Sequence, residues 1–350
     1  MQEREHAVTR DMEVIRSLPK VELHRHLAGC MTPEIIWEMK RKFGAPAPGD
    51  SVEDIRNHVE VTQPRESLNA VLQCFRVFQG LFVSPEAVQY AAYRVVEDAA
   101  RDGIRYLELR FSPGFTGCAH KLDQSAVFEA VVRGSQEAAH DCGMVVPLIA
   151  ISSREMGPAV CLETCRLASS FKPHVVAVDL AGNEDDFPPE LFVDAFEYAH
   201  AQGLRATVHA GEQGHADNVR KAVELLHADR IGHGIQIIHR PDLMELVSER
   251  DVPLEICITS NWIVSAVPTV FDHPVCRLAA AGVPVVVNSD DPALFHITLS
   301  GELALFKHLC GLSVGDLVRH EVDALDYGFA PEREKGRVRQ ALYDWWNGRC

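Results

Sequence analysis

The stretch VELHRHLAGC, Val21 to Cys30, sets two imidazoles, His24 and His26, one residue apart in an otherwise apolar run. In an extended strand residues i and i+2 share a face, so both rings point the same way. A lone buried histidine is ordinarily a packed core residue, whereas two on one face at a strand end read as metal ligands. Three later runs end on residues of the same kind. TVHAGEQGH carries His209 and, past two small residues, Glu212; RIGHGI carries His233 between two glycines; VVNSDDPA sets Asp290 beside Asp291, closed by Pro292. Each alone is a plausible turn or cap residue. Adjacent acids at the end of an apolar strand nevertheless cost free energy unless they are paired or metal-bound.

His24, His26, His209 and Asp290 together offer three nitrogens and one oxygen. Such a set suits Zn²⁺ with one position open for water, and would also take Fe²⁺, Co²⁺ or Mn²⁺. The run DLAGNE offers no lysine of the kind that bridges two metals, so one metal per chain is expected. Glu212, His233 and Asp291 are left over. A metal-bound water needs a base to take its proton, and the substrate needs an acid to activate it. His233 fits the base and Glu212 the acid, while Asp291 can hold the water or take a hydrogen bond from the substrate. The expected chemistry is hydrolytic attack on an electrophilic carbon beside a basic nitrogen or oxygen.

Residues this far apart need a scaffold that gathers strand ends. Eight short β-rich runs recur: VELHRHL, IRYLELRF, MVVPLIAIS, VVAVDLAG, LRATVHAG, RIGHGI, VPLEICI and VPVVVNSD. Amphipathic stretches such as AVQYAAYRVVEDAARDG, stopping on Gly103, lie between most of them. Eight buried strands alternating with helices predict an α/β fold, the (β/α)8 TIM barrel. A doubly wound sheet is the alternative, but no glycine-rich phosphate loop follows the first strand. The chain reads as one domain, 1–350. The gap at 32–102 holds several helical patterns, including RESLNAVLQCFRVFQGLF. It is expected to form a helical insertion over the C-terminal mouth of the barrel, either as a lid or as scaffold.

Lys plus Arg number 34 against 50 Asp plus Glu, a formal charge of −16. That surface repels the phosphates of nucleic acid and of anionic lipid, so a small-molecule substrate is expected, with no nucleic-acid or membrane partner. No apolar run approaches the ~20 residues of a membrane span. The ten cysteines form no C-x-x-C pair, and the start MQEREHAVTR is polar and charged; reduced thiols in a cytoplasmic protein are expected. Oligomeric state leaves no trace. His215, His239, His296 and His308 read as solvated or packed, and Trp345 with Trp346 as a helix-docking pair.

In chain order, LPKVELHRHLAG, RYLELRFSPG, VDLAGNE, TVHAGE, RIGHG, EICITSN and NSDDP resemble the motifs of the adenosine deaminase family of metal-dependent amidohydrolase barrels. The resemblance implies hydrolytic deamination of a 6-aminopurine nucleoside to the 6-oxopurine and ammonia. It implies that His24, His26, His209 and Asp290 bind the metal, and that Glu212 protonates purine N1. His233 would take the proton of the attacking water, and Asp291 would steer that water and bond N7. The backbone N–H of Gly182 would meet N3, and Ser260 would orient Asp290. The H-x-E and P-C-x-x-C signature of the cytidine and tRNA deaminases is absent as a pair.

Ala28 departs from the family's usual H-x-H-L-D-G, whose aspartate bonds the ribose 5′-hydroxyl. Loss of that acceptor should cost on the order of 1–3 kcal/mol. Adenosine would then be held by other groups, or the 5′ position would carry a bulkier or apolar substituent, as in aminodeoxyfutalosine or methylthioadenosine. A 5′-phosphate, as in N6-modified AMP, would call on Arg25, which should point away from His24 and His26. Free adenine fits less well, because deaminases of that kind tend to carry an acid here. Outside the class stand an amide- or ester-hydrolysing barrel and a non-catalytic metal-containing nucleoside-binding protein.

Overall fold

Val, Ile and Leu dominate the eight strands, as expected for strands covered on both faces. In the computed structural model, which describes residues 11–213 and 215–349, these are β1 Lys20–His26, β2 Ile104–Phe111, β3 Leu148–Ser153, β4 Val175–Ala181, β5 Arg205–Ala210, β6 Arg230–His233, β7 Leu254–Ile256 and β8 Val285–Val287. Each pairs in parallel with the next, in the order β1 to β8. Hydrogen bonds join the two ends. The Leu23 amide donates to Asn288 Oδ1 at 2.8 Å, the Asp290 amide to the His24 carbonyl at 2.9 Å, and the His26 amide to the Asp290 carbonyl at 3.0 Å. The ring of strands with intervening helices is the expected (β/α)8 barrel. β3 starts only at Leu148, because Pro147 breaks the run MVVPLIAIS and has no N–H for a ladder.

The barrel interior is not apolar throughout. Glu22, Glu108, Arg110, Asp179, Arg230 and Glu255 are all buried within it. Arg110 reaches Asp179 at 2.9 Å and Glu255 at 2.8 Å, and Arg230 reaches Glu255 at 2.6 Å while lying over the Phe329 ring. Pairing of this kind is what makes buried charge tolerable.

Four helices follow β1: α1 Pro33–Phe43, α2 Val52–Val59, α3 Leu68–Leu81 and α4 Pro85–Arg101. Each starts on a capping hydroxyl, from Thr32, Ser51, Ser67 and Ser84 in turn, which accepts the amide three residues on. α4 packs along the helix Gln124–Cys142 and against β2, as the first outer helix of the barrel. The stretch that reaches the mouth is therefore shorter than 32–102. It is tied down where the Val61 amide meets the Leu294 carbonyl at 2.7 Å and the Arg65 amide meets the Ile263 carbonyl at 2.8 Å.

One expectation about the cysteines is corrected. Cys276 and Cys310 form a disulfide that ties the helix Val275–Ala280 to the helix Leu299–Cys310. They are 34 residues apart with no spacing signature, and only helix packing brings them together. The other described cysteines are free, including buried Cys161 and Cys165; residues 1–10 and Cys350 lie outside the described residues. Trp346 packs against Gly315, docking the last helix, Glu332–Asn347, on Val314–Asp326. Among the described residues no helix is long and apolar enough to cross a membrane.

Candidate active site

The ends of β1, β5, β6 and β8 bring the expected residues to one place. His24 and His26 share a face of β1, with ring centroids 5.2 Å apart, and His209 at the end of β5 lies 4.6 Å from His24 and 5.3 Å from His26. Asp290 Oδ1 is 3.3 Å from His24 Nε2 and 3.2 Å from His26 Nε2. His233 stands next to them, 4.9 Å from His24 and 5.2 Å from His209. Asp290 and His233 are non-glycine residues at positive φ, 64° and 62°. Such backbone costs of order 1–3 kcal/mol, and here it aims side chains inward at strand ends.

Acids in the barrel wall decide which nitrogen each ring presents. His24 Nδ1 bonds Glu255 at 2.7 Å and His209 Nδ1 bonds Asp179 at 3.0 Å. Each ring thus spends Nδ1–H on a carboxylate and turns the bare Nε2 inward, the arrangement that metal-binding histidines use. Burial opposes the charge on Glu255 and Asp179, but Arg110 helps hold both well below the usual carboxylate range, with Arg230 acting on Glu255 and His209 on Asp179. Burial pushes His26 down to about 4 and lowers His209, so both offer lone pairs. Burial and Arg110 oppose charge on His24 as well, but Asp290 and Glu255 raise it overall. Burial would raise Asp290, yet the His24 and His26 rings beside it hold it well below its usual range. Ser260 Oγ donates to its second oxygen at 2.6 Å. Inward lone pairs with an anchored carboxylate fit one divalent cation.

Glu212, His233 and Asp291 border this cluster. The loop that carries Glu212 is pinned by Glu184, which accepts the Gly211 amide at 2.8 Å and the Glu212 amide at 3.0 Å. Burial, with the charges of Asp290 and Glu184, pushes the Glu212 carboxyl up to about 8. Burial drives His233 well below its usual value. Asp291 is pushed well above the carboxylate range by burial and by Asp290, and its buried Oδ1 has no hydrogen-bond partner in the protein. That oxygen lies beside Gly29, where a Cβ would come within 1.8 Å of it, so only glycine fits there.

His26, His209, Glu212, His233, Ser260, Asp290 and Asp291 line one cavity of about 620 Å³. Its outer wall comes partly from α3, with apolar Leu72 and Phe75 beside polar Asn69, Gln73 and Arg76, and partly from Phe115 and Phe295. Gly182 lines it at φ 110°, backbone that a side chain rarely adopts. Ala28 is also on the wall, half-buried, in a turn against which α3 packs. Arg25 is on the other side of β1 and lines a separate cleft.

The family model described as "Adenosine deaminase" matches residues 19–345. The adenosine deaminase of Vibrio parahaemolyticus is 37% identical over 331 residues, covering 95% of this chain and 99% of that protein. The chain belongs to the adenosine deaminase family. It is accordingly a metal-dependent aminohydrolase. Solved structures agree with this family membership. A zinc-bound amidohydrolase from Burkholderia ambifaria superposes with a TM-score of 0.86 at 28% identity, covering 96% of this chain and 92% of that one. The N6-methyl-AMP deaminase of Arabidopsis thaliana gives 0.83 at 28%, covering 95% and 98%. A divalent metal in this deaminase site follows from family and donor set together.

The residues set aside stay outside the site. His239 and His308 are exposed, exposed His215 pairs with Asp185 at 3.4 Å, and exposed His296 meets Glu60 at 3.1 Å. Sequence reasoning missed Asp179, Glu255 and Arg110, although each is a charge inside an apolar strand run, a signal that could have found them. It missed Glu184 and Asn261, which lie in loops and short helices without periodicity. Cys257 was missed too; its sulfur comes within 4.8 Å of ligand atoms of His24 and Asp290.

Proposed function

We propose that this deaminase hydrolyses the 6-amino group of adenosine-type nucleosides, with one Zn²⁺ held by His24, His26, His209 and Asp290. Fe²⁺, Co²⁺ or Mn²⁺ would satisfy the same donors. The observation that carries the reading is Glu212, a carboxyl pushed to about 8 in a cavity that also holds the histidine cluster. When bound, the cation supplies a water acidic enough to attack a ring carbon. Attack at C6 breaks the conjugation of the purine, so N1 must gain a proton as the nucleophile arrives. A carboxyl still protonated near neutral pH supplies it, and that is the role of Glu212. His233 takes the proton of the attacking water; burial keeps the ring neutral and able to accept. N7 is an acceptor, so Asp291 bonds it in the protonated form that its surroundings favour. The Gly182 N–H meets N3, and Ser260 holds Asp290 in place.

Adenosine is the first substrate. One observation supports a second reading, a nucleoside with an apolar 5′ substituent: Ala28 faces the cavity without an acceptor. Arg25, in its separate cleft, gives no support to a 5′-phosphate. We read α1 to α3 as a lid over the bound purine and the chain as one domain. The cytoplasmic placement rests on the free thiols, to which the Cys276–Cys310 bond is an exception.

Ammonia release on a panel of adenosine, methylthioadenosine, aminodeoxyfutalosine, AMP and adenine tests the reading. Release from adenosine or a 5′-modified adenosine is expected; silence across the panel with metal bound would leave only a binding protein.

A further inference from the structure

Behind Glu212 and His233 lies a buried polar pair to which the proposed reaction gives no part. Asn261 sits in the helix Ile258–Ile263, and His273 lies in the loop before Val275–Ala280. The hydrogen bonds through them have only one consistent direction. The Val275 amide can only donate, and it meets His273 Nδ1 at 3.1 Å. Nδ1 is therefore the acceptor nitrogen, and the neutral ring carries its hydrogen on Nε2. Burial keeps that ring neutral, lowering it to about 3. Nε2 lies 3.1 Å from Asn261 Oδ1, which accepts from it. With its oxygen committed there, the amide turns its NH2 toward the site, where Nδ2 lies 3.0 Å from Glu212 Oε1 and 3.2 Å from His233 Nδ1. A flipped amide would set NH2 against the Nε2–H of His273, a clash of donors.

Building on the acid role proposed for Glu212, we infer that Asn261, locked by His273, is a positioning residue that fixes the orientation of the Glu212 carboxyl. Oε1 receives the Asn261 N–H, so the hydrogen of the neutral carboxyl belongs on Oε2, the oxygen left for the purine. Without this bond the carboxyl can rotate and place its hydrogen on the wrong side. Asn261 touches no substrate in this account; it acts through Glu212, and its NH2 also borders His233 Nδ1.

Two measurements test it, one free of activity. Long-range 1H–15N correlation on the metal-loaded enzyme should show His273 with Nδ1 bare and Nε2 protonated; the opposite tautomer would overturn the amide's assigned direction. Asn261→Asp keeps the shape and removes the donor. With metal content unchanged, it should lower kcat at least ~10-fold and move KM less than about twofold. His273→Gln, which can still donate to Asn261 Oδ1, should retain more kcat than His273→Leu. Equal losses in those two variants, a kcat for Asn261→Asp within about threefold of the parent, or a change confined to KM would each overturn the proposal. Failure of the parent enzyme to deaminate any nucleoside would instead fault the functional reading, and the tautomer result would still stand.

Discussion

Glu212 is where the chemistry and the electrostatics meet most tightly. Glu212→Gln keeps a polar side chain of the same size but has no proton to give, so metal content should be unchanged while kcat falls at least ~100-fold; metal analysis beside steady-state kinetics checks it. Because the acid form is the active one and titrates at about 8, kcat/KM should decline as pH rises through that value, and a rise there would remove Glu212 from the acid role. Ala28→Asp restores a 5′-hydroxyl acceptor. It should raise kcat/KM for adenosine by roughly 10-fold, a share of the 1–3 kcal/mol that such a bond is worth, and lower it for methylthioadenosine. The seven candidate residues that the fold gathers at one end of the barrel were legible because histidines and acids at the ends of apolar strands have few structural uses. Asn261 was not, since a buried amide in a six-residue helix looks like any polar helix residue until its partners are known.

At the level of elements, the strands matter for where they end and for what they carry halfway along. Asp179 on β4 and Glu255 on β7 lie in the barrel wall, yet they hold the Nδ1 of His209 and His24. Asp179→Asn and Glu255→Gln should each weaken metal affinity by roughly 10- to 100-fold, measured by competition with a chelator. An unchanged affinity would mean that the wall acids only balance Arg110 and Arg230. The strands were readable from β-branched runs, and the helices after β1 from their period. The place where the insertion ends was not readable, because α4 has the same amphipathic pattern whether it packs over the mouth or along the barrel wall. Only its contact with Gln124–Cys142 separates the two.

On the scale of the whole molecule, a large apolar core runs from Ile15 to Leu342 around a charged barrel interior, with a smaller cluster around Val21, Leu23 and Tyr106. Burial also raises acids outside the barrel interior, such as Glu302 in the helix Leu299–Cys310. Glu302 accepts the Thr259 amide at 3.0 Å and is pushed by burial up to about 7. Its folded value lies above its unfolded one, so the stability it contributes is present in full below about 4.5 and is lost as pH rises through about 7. The thermal midpoint should fall over that window, by an amount equivalent to about 3 kcal/mol at most, and Glu302→Gln should flatten the fall. Such pairings were invisible in the sequence, as was the Cys276–Cys310 bond, because both join positions that meet only through the packing of distant helices.

The proposed chemistry depends on the cation that His24, His26, His209 and Asp290 are proposed to hold. The most direct measurement is ammonia release from adenosine, and from a 5′-modified adenosine, by enzyme stripped of metal and then given Zn²⁺ stepwise. The account predicts negligible release from the stripped protein and recovery that saturates at one ion per chain. Undiminished turnover by protein shown to contain no metal would contradict it.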